Sequence, residues 1–185
     1  MRTSGSAAPR FLDPLLAAVE RIDRAARRIQ PVAPGSLLGL EEHRHRGPTV
    51  ILADGTRVQP GDRVGIVHLD NALVRELATE TWQTEGLRQA RQGLRDLAGW
   101  HRAQPPARRP VAYTGITLLA ALTRREGWEV RDREPSAWVR LQDWYLRSLL
   151  VRWARDGRSR LDRGRGPLRS REIWLSAAAL LRRFP

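Results

Sequence analysis

The sequence contains no cysteine and no lysine. The lack of cysteine excludes disulfides, thiolate metal sites and cysteine nucleophiles, and it leaves the redox compartment of the protein undetermined. Because lysine is missing, all 33 basic residues are arginine. Such a bias is as typical of a GC-rich genome as of a need for guanidinium chemistry. The abundance of arginine alone therefore does not indicate a function.

Long apolar runs are also missing. Residues 11–29 are the most apolar stretch near the N-terminus, but charged residues interrupt it at Asp13, Glu20, Arg21, Asp23 and Arg24. This pattern excludes a secretion signal or a spanning helix in that stretch. We expect a protein kept on the cytoplasmic side, peripheral at the inner membrane face if it touches the membrane.

Acidic residues are the minority, and the formal net charge is +13. A surface this positive attracts nucleic acid, anionic lipid headgroups or acidic polymers without specifying which. The charge therefore narrows the class of partner only.

A length of 185 residues favours one domain. Residues 1–10 are rich in small residues and predict a disordered leader, and residues 11–185 predict a single domain. Asp13 and Pro14 predict the start of an amphipathic helix that Pro31 and Pro34 end. Its apolar stripe consists of Leu12, Leu15, Leu16, Val19, Ile22, Ala26 and Ile29.

The next part of the chain predicts strands. Residues 36–46 predict a strand that leaves the core, and Asp54-Gly55 predicts a tight primed hairpin turn. A strand with His68 follows, which would complete an antiparallel meander of about three or four strands.

Helical periodicity dominates the rest. Residues 71–103 predict a helix with a break near Gly86, since an interior glycine costs roughly 1 kcal/mol relative to alanine. Val111-Ala112-Tyr113 predicts a short strand before a helix from Leu118 to Arg125, and residues 127–130 predict a returning strand. Another helix opens at Pro135, and Ser176 caps a last one. The sequence predicts an α+β fold, with an antiparallel sheet of about four to six strands packed with about four or five helices.

His68 is the first candidate for chemistry. If residues 64–68 are extended, Val64, Ile66 and His68 share one face. An imidazole near Asp70 can act as an acid or base, with Asp70 orienting it and Asn71 binding substrate. The structural alternative is a satisfied core histidine, with Asp70 or Asn71 merely capping the next helix.

A second candidate lies where Tyr113 leads into a predicted helix start. The amides and hydroxyls of Thr114, Gly115 and Thr117 would hold a phosphate or carboxylate there, and Tyr113 would present its phenol to the same pocket. The alternative is a tight turn with a hydroxyl cap.

Two further patterns have structural alternatives. His43 and His45 would face the same way and, together with His68, suggest a metal site, but edge histidines are commoner and no fourth ligand is evident. We therefore expect no metal or other cofactor. The helix after Pro135 has two readings: a buried helix whose stripe is Trp138, Leu141, Tyr145 and Leu149, or a helix whose tryptophans and arginines lie in a membrane interface or stack on nucleic acid. The second reading uses Trp138, Trp144, Trp153, Arg140, Arg147, Arg152 and Arg155.

Several stretches together resemble the YkoP-like domain family of bacteria, found alone or C-terminal to polysaccharide deacetylases. The matching stretches are Arg46-Gly47-Pro48, Leu52-Ala53-Asp54-Gly55-Thr56, Pro60-Gly61-Asp62, Gly65-Ile66-Val67-His68-Leu69-Asp70-Asn71, Gly115-Ile116-Thr117-Leu118-Leu119, Gly127-Trp128-Glu129-Val130 and Arg171-Glu172-Ile173-Trp174-Leu175-Ser176. The resemblance implies a role in cell-envelope glycan or lipid metabolism, with no catalytic mechanism to transfer. The paired Asp and His metal ligands of a deacetylase are missing, so deacetylase activity is not expected.

These observations predict a protein that binds or modifies an anionic lipid-linked or glycan substrate at the cytoplasmic membrane face. Its partners would be an envelope precursor or a lipid headgroup, together with enzymes of envelope polysaccharides. The alternative is a basic nucleic-acid-binding module, for which association would depend steeply on salt. The sequence contains no recognisable reader motif for nucleic acid.

Overall fold

A computed structural model describes residues 25–70, 73, 85–153 and 169–185 of the chain. The predicted leader and most of the predicted first helix lie outside these residues. So do residues 154–168. Ala25 and Ala26 are helical, but Arg28 has φ +53, and a strand begins at Gln30. The first helix therefore ends before Ile29, earlier than its apolar stripe predicted.

Eight strands are described. They are β1 (Gln30–Pro31), β2 (Leu38–Arg44), β3 (Val50–Ile51), β4 (Arg57–Val58), β5 (Arg63–Leu69), β6 (Ala112–Thr117), β7 (Glu129–Arg131) and β8 (Arg171–Ser176). Six of them form one sheet in the order β1-β2-β5-β6-β8-β7, and β3 pairs with β4 in a separate hairpin. The sheet is antiparallel except for the parallel pair β5 and β6. The predicted α+β class is confirmed.

The predicted meander is wrong in its connectivity. β2 pairs directly with β5, and the hairpin of β3 and β4 lies outside the main sheet. The turn also differs from the primed type, because Gly55 has φ +84 whereas Asp54 has no positive φ. Leu52 donates its N–H to the Thr56 carbonyl at 2.9 Å, which closes a three-residue loop with glycine in the left-handed position.

Four helices are described: α1 (Leu87–Ala103), α2 (Ala120–Arg125), α3 (Ala137–Trp153) and α4 (Ala177–Arg183). A π turn at 85–86 precedes α1, at the interruption predicted near Gly86. Ser176 caps α4 as predicted, accepting a hydrogen bond from the Ala179 N–H at 2.9 Å. In the described part of the chain, no helix is long and apolar enough to cross a bilayer.

Two apolar clusters cover the two faces of the sheet. On one face, α1 and α4 pack against Leu40, Tyr113 and Leu175. On the other face, Leu52 and Val58 of the hairpin region pack against strand residues, namely Val64, Ala112 and Trp174. We call these the helix face and the hairpin face.

Candidate functional site

His68 lies near the end of β5, on the hairpin face. It shares that face with Val64 and Ile66, as the alternation of the sequence predicts. Its side chain is 26% exposed, so the imidazole is partly open to solvent.

Among the described residues, Glu41 places a carboxylate beside His68. Nε2 of His68 lies 3.1 Å from Oε2 of Glu41, and the Arg27 guanidinium lies 3.8 Å from the same oxygen. The strand register explains this contact, because Glu41 is opposite Ile66 and His68 is opposite Gly39, which makes Glu41 and His68 diagonal neighbours. Sequence spacing did not reveal the pair, since 27 residues separate its members.

Asp70 makes the contact that the structural alternative predicted. Its Oδ1 accepts a hydrogen bond from the Leu73 N–H at 3.2 Å, three residues on, as a capping side chain does. Its own N–H donates to the Leu37 carbonyl at 2.8 Å. Asn71 lies outside the described residues. A catalytic role for His68 remains a prediction, with Glu41 rather than Asp70 as the carboxylate shown in hydrogen-bond contact with it.

Tyr113 lies on the helix face, away from His68. Its side chain has no exposed surface, and its hydroxyl lies 2.7 Å from Nδ1 of the buried His101. Burial raises the pKa of the Tyr113 phenol above its ordinary value. Tyr113 therefore does not present its phenol to a pocket shared with Thr114, because alternation along β6 turns the two side chains to opposite faces of the sheet.

Thr114, Gly115 and Thr117 belong to β6 rather than to a helix start. The strand continues through Thr117, and these residues pair with β8. Their backbone is thus part of the sheet, whereas the predicted anion site required amides at a helix start. Thr117 Oγ1 accepts from the Leu119 N–H at 2.9 Å, two residues on, which is a local turn contact. Within the described residues no side chain caps the first turn of α2, so the tight turn of the alternative is present without its hydroxyl cap. Thr114 alone of these three is on the same face of the sheet as His68.

The three histidines do not meet. His43 is opposite Val64 and His68 is opposite Gly39, so about 13 Å of strand separates the two along the sheet. Nε2 of His45 lies 2.7 Å from the Pro48 carbonyl, and its ring contacts Trp174 edge-on. Among the residues described, no group of three or more His, Asp or Glu side chains has the arrangement of a metal site.

α3 exposes two apolar side chains that the buried-helix reading placed inward, Trp138 and Leu141, and it exposes Trp144 as well. Trp138, Leu141 and Trp144 are 63%, 54% and 66% exposed, whereas Asp143 is buried. The Asp143 carboxylate accepts from the Ser170 N–H at 2.8 Å, which fixes this side of the helix against the start of β8. The side chains of Leu149, Arg152 and Trp153 and the whole of Arg155 lie outside the described residues. We refer to Trp138, Leu141 and Trp144 as the aromatic face of α3.

The model of the YkoP domain family matches residues 10–184. The chain belongs to the YkoP domain family. This membership confirms the resemblance carried by the glycine turns and by the His68 stretch. A comparison with curated proteins and a comparison with solved structures each gave no match.

Proposed function

We propose that this YkoP domain is a peripheral protein of the cytoplasmic membrane face that binds anionic, lipid-linked envelope material. The observation that carries the proposal is the aromatic face of α3, where two tryptophans and a leucine lie exposed side by side. A helix that lies in a membrane interface presents such side chains to the boundary between headgroups and acyl chains.

The charge on α3 and in the sequence that follows it favours an anionic bilayer as the partner of the aromatic face. Arg140 is exposed, one helical turn before Trp144. The segment after α3 adds Arg155, Arg158, Arg160, Arg163, Arg165 and Arg169 against only Asp156 and Asp162. A basic residue near an anionic membrane surface contributes about 1 kcal/mol, so this composition complements phospholipid headgroups.

The apolar part of the binding free energy follows from the exposed area. Burying a large apolar side chain contributes about 1.5–3 kcal/mol. About two-thirds of Trp138 and of Trp144 is exposed and available for burial. Trp138 and Trp144 together should therefore contribute about 2–4 kcal/mol, which corresponds to a change in partitioning of about 30-fold to several hundredfold.

Vesicle co-sedimentation tests the proposal. We expect the protein to bind vesicles that contain phosphatidylglycerol and not vesicles of phosphatidylcholine alone, with a blue shift of tryptophan fluorescence on binding. The double variant Trp138→Ser/Trp144→Ser should lose about 30-fold or more in affinity. Ile51→Ser is the matched control, because Ile51 is 55% exposed but lies in β3 rather than α3.

Two outcomes would refute the proposal: equal binding by the double variant and the wild type, or no binding to anionic vesicles at all. The aromatic face could also stack on single-stranded nucleic acid. Binding of an RNA oligonucleotide, but not of vesicles, at about 0.15 M salt would favour the nucleic-acid alternative.

A further inference from the structure

A small pocket lies at the end of the sheet where β2 ends and β5 begins. Its volume is about 90 Å³, and it is lined by Glu42, His43, Arg44, Arg63, Val64 and Pro110. Of the candidate residues named from the sequence, His43 alone lines it. Two of its six lining residues carry guanidinium groups, which makes it a candidate for binding an anion.

Arg44 and Arg63 are direct cross-strand partners in the register of β2 and β5. Directly opposite residues lie on the same face of a sheet, with Cβ atoms about 5 Å apart, and like charges in these positions repel each other. The fold therefore holds two positive charges side by side at the pocket. An anion between them would relieve that repulsion.

The contacts of Arg44 position its charge without neutralising it. Its Nη1 donates to the Gly61 carbonyl at 2.7 Å. In the part of the chain that the structure describes, no carboxylate lies within ion-pair distance of Arg44. A guanidinium has five N–H donors, so the carbonyl contact leaves most of them for a ligand.

Arg63 is only partly compensated. Its Nη1 lies 3.5 Å from Oε2 of Glu42, whose side chain is 53% exposed. Exposed pairs of this kind contribute little, because water and salt screen them. The Glu42 carboxylate thus competes weakly for a guanidinium that an oxyanion would bind better.

We propose that Arg44 and Arg63 form a binding site for a phosphate group. The planar guanidinium fork matches the oxygens of phosphate, and two forks side by side can hold one group from both sides. The pocket has room for a phosphate group, and because it opens to solvent, any group attached to the phosphate would extend out of it.

This inference goes beyond the proposed function and does not depend on α3. Asp143 fixes α3 to Ser170 at the start of β8, whereas the pocket lies at the opposite end of the sheet. A six-residue strand is about 20 Å long. Variants at the pocket therefore leave the aromatic face intact, and the two proposals fail separately.

Titration with inorganic phosphate, followed by the Nε–H signals of arginine side chains in NMR spectra, tests the site. We expect the signals of Arg44 and Arg63 to shift and to saturate together. Arg44→Gln and Arg63→Gln should each weaken phosphate binding by at least about tenfold, the usual scale for losing a charge-assisted hydrogen bond. Arg124→Gln, which removes an exposed charge from α2, should leave the affinity unchanged.

Glu42→Gln should change the affinity for phosphate in the opposite direction. It removes the carboxylate that competes for Arg63, so phosphate should bind about two- to fivefold more tightly. A purely structural effect of substitution at this sheet end would not tighten binding. Arg44→Lys keeps the charge and serves as a second variant if Arg44→Gln unfolds.

The proposal is wrong if phosphate shifts the signals of all exposed arginines alike, or if Arg124→Gln weakens binding as much as Arg44→Gln does. Vesicles containing phosphatidylglycerol distinguish the source of the phosphate group. If the pocket variants lose vesicle binding together with phosphate binding, the group belongs to a lipid headgroup. If they lose phosphate binding alone, it belongs to a soluble molecule.

Discussion

The hydroxyl of Tyr113 and Nδ1 of His101 lie 2.7 Å apart between α1 and the central strand β6. Both residues are buried, and their rings meet edge-on. Desolvation, with the nearby charges of Arg109 and Arg102, lowers the pKa of His101 below its ordinary value of 6.5. The interior therefore holds a neutral imidazole in a hydrogen bond to a neutral phenol.

The first prediction concerns the stability of the folded state at acidic pH. Below pH 6.5 the unfolded chain protonates His101 while the folded chain resists it, so the folded state loses stability as the pH falls from 6.5 toward the lowered pKa. One such group gives a slope of at most about 1.4 kcal/mol per pH unit. Urea unfolding at a series of pH values measures this slope.

The variant His101→Gln has no imidazole and should have a smaller slope than the wild type between pH 7 and the lowered pKa. Tyr113→Phe should keep the slope but lower the stability by about 1–3 kcal/mol, because it leaves a buried ring nitrogen without its partner. An unchanged slope in His101→Gln would assign the acid sensitivity to other groups.

A second prediction concerns the packing under β5. A Cβ built on Gly65 would lie 2.6 Å from Tyr113 Cδ1 and 2.8 Å from Leu40 Cδ1. Gly65→Ala should therefore destabilise the protein by about 1–3 kcal/mol through overpacking. On α1, a Cβ on Gly99 would meet nothing within 4 Å, and Gly99→Ala should stabilise by about 0.5–1 kcal/mol. Thermal unfolding of both variants checks whether Gly65→Ala lowers and Gly99→Ala raises the stability. A stabilised Gly65→Ala would contradict the close packing of Gly65.

Local sequence signals predicted much of the fold. Ser176 at the start of α4, Gly55 in its turn and the alternation around His68 each depend on residues that are neighbours in the chain, so their physics is visible in the sequence. The pairing of β2 with β5 is not local. The hairpin of β3 and β4 was predicted, but its residues do not indicate that it lies outside the main sheet. Because the pairing of β2 with β5 is not visible in the sequence, the predicted meander was wrong.

Contacts between residues distant in the chain also explain why the sequence did not predict the arrangement of the site. Glu41 comes next to His68 only through the strand register, so the sequence offered the nearer Asp70 instead. Tyr113 and Thr114 are neighbours in the chain, yet an extended strand puts them on opposite faces. For α3, a helical stripe indicates which side chains lie together, but not whether protein or solvent covers them. Trp138 and Leu141 belong to such a stripe and are exposed.

A third prediction concerns Ser176, which joins α4 to the hairpin. Its Oγ donates to Asp54 Oδ2 at 2.5 Å and accepts from the Ala179 N–H. Desolvation opposes the ionisation of Asp54, but hydrogen bonds from Ser176 and Thr56 and the charge of Arg182 outweigh it and lower the pKa of Asp54 below 3.8. This contribution to stability is present above pH 3.8 and is lost as the pH falls toward the lowered pKa.

Ser176→Ala should cost about 1–2 kcal/mol at neutral pH, and less at a pH low enough to protonate Asp54. Ser136→Ala is the matched control, because Ser136 Oγ accepts from the Val139 N–H at 3.1 Å near the start of α3. Ser136→Ala should lose only the stabilisation that the helix cap provides, and this loss of stability should not change with pH in the acid range. Equal pH profiles for the two variants would show that the Asp54 contact adds nothing to the cap.

The last prediction separates charge from apolar burial at the membrane. Arg140 is exposed beside Trp144, so in the proposed interface its guanidinium lies among lipid phosphates. Arg140→Gln should weaken binding to phosphatidylglycerol vesicles by about fivefold, the equivalent of about 1 kcal/mol. The loss should shrink as salt rises, because screening reduces the attraction of the wild type. The loss in Trp138→Ser/Trp144→Ser should persist at high salt, since burial of apolar surface does not depend on counterions. Co-sedimentation across a salt series measures both trends, and a tryptophan variant whose defect disappears with salt would indicate that α3 does not enter the bilayer interface.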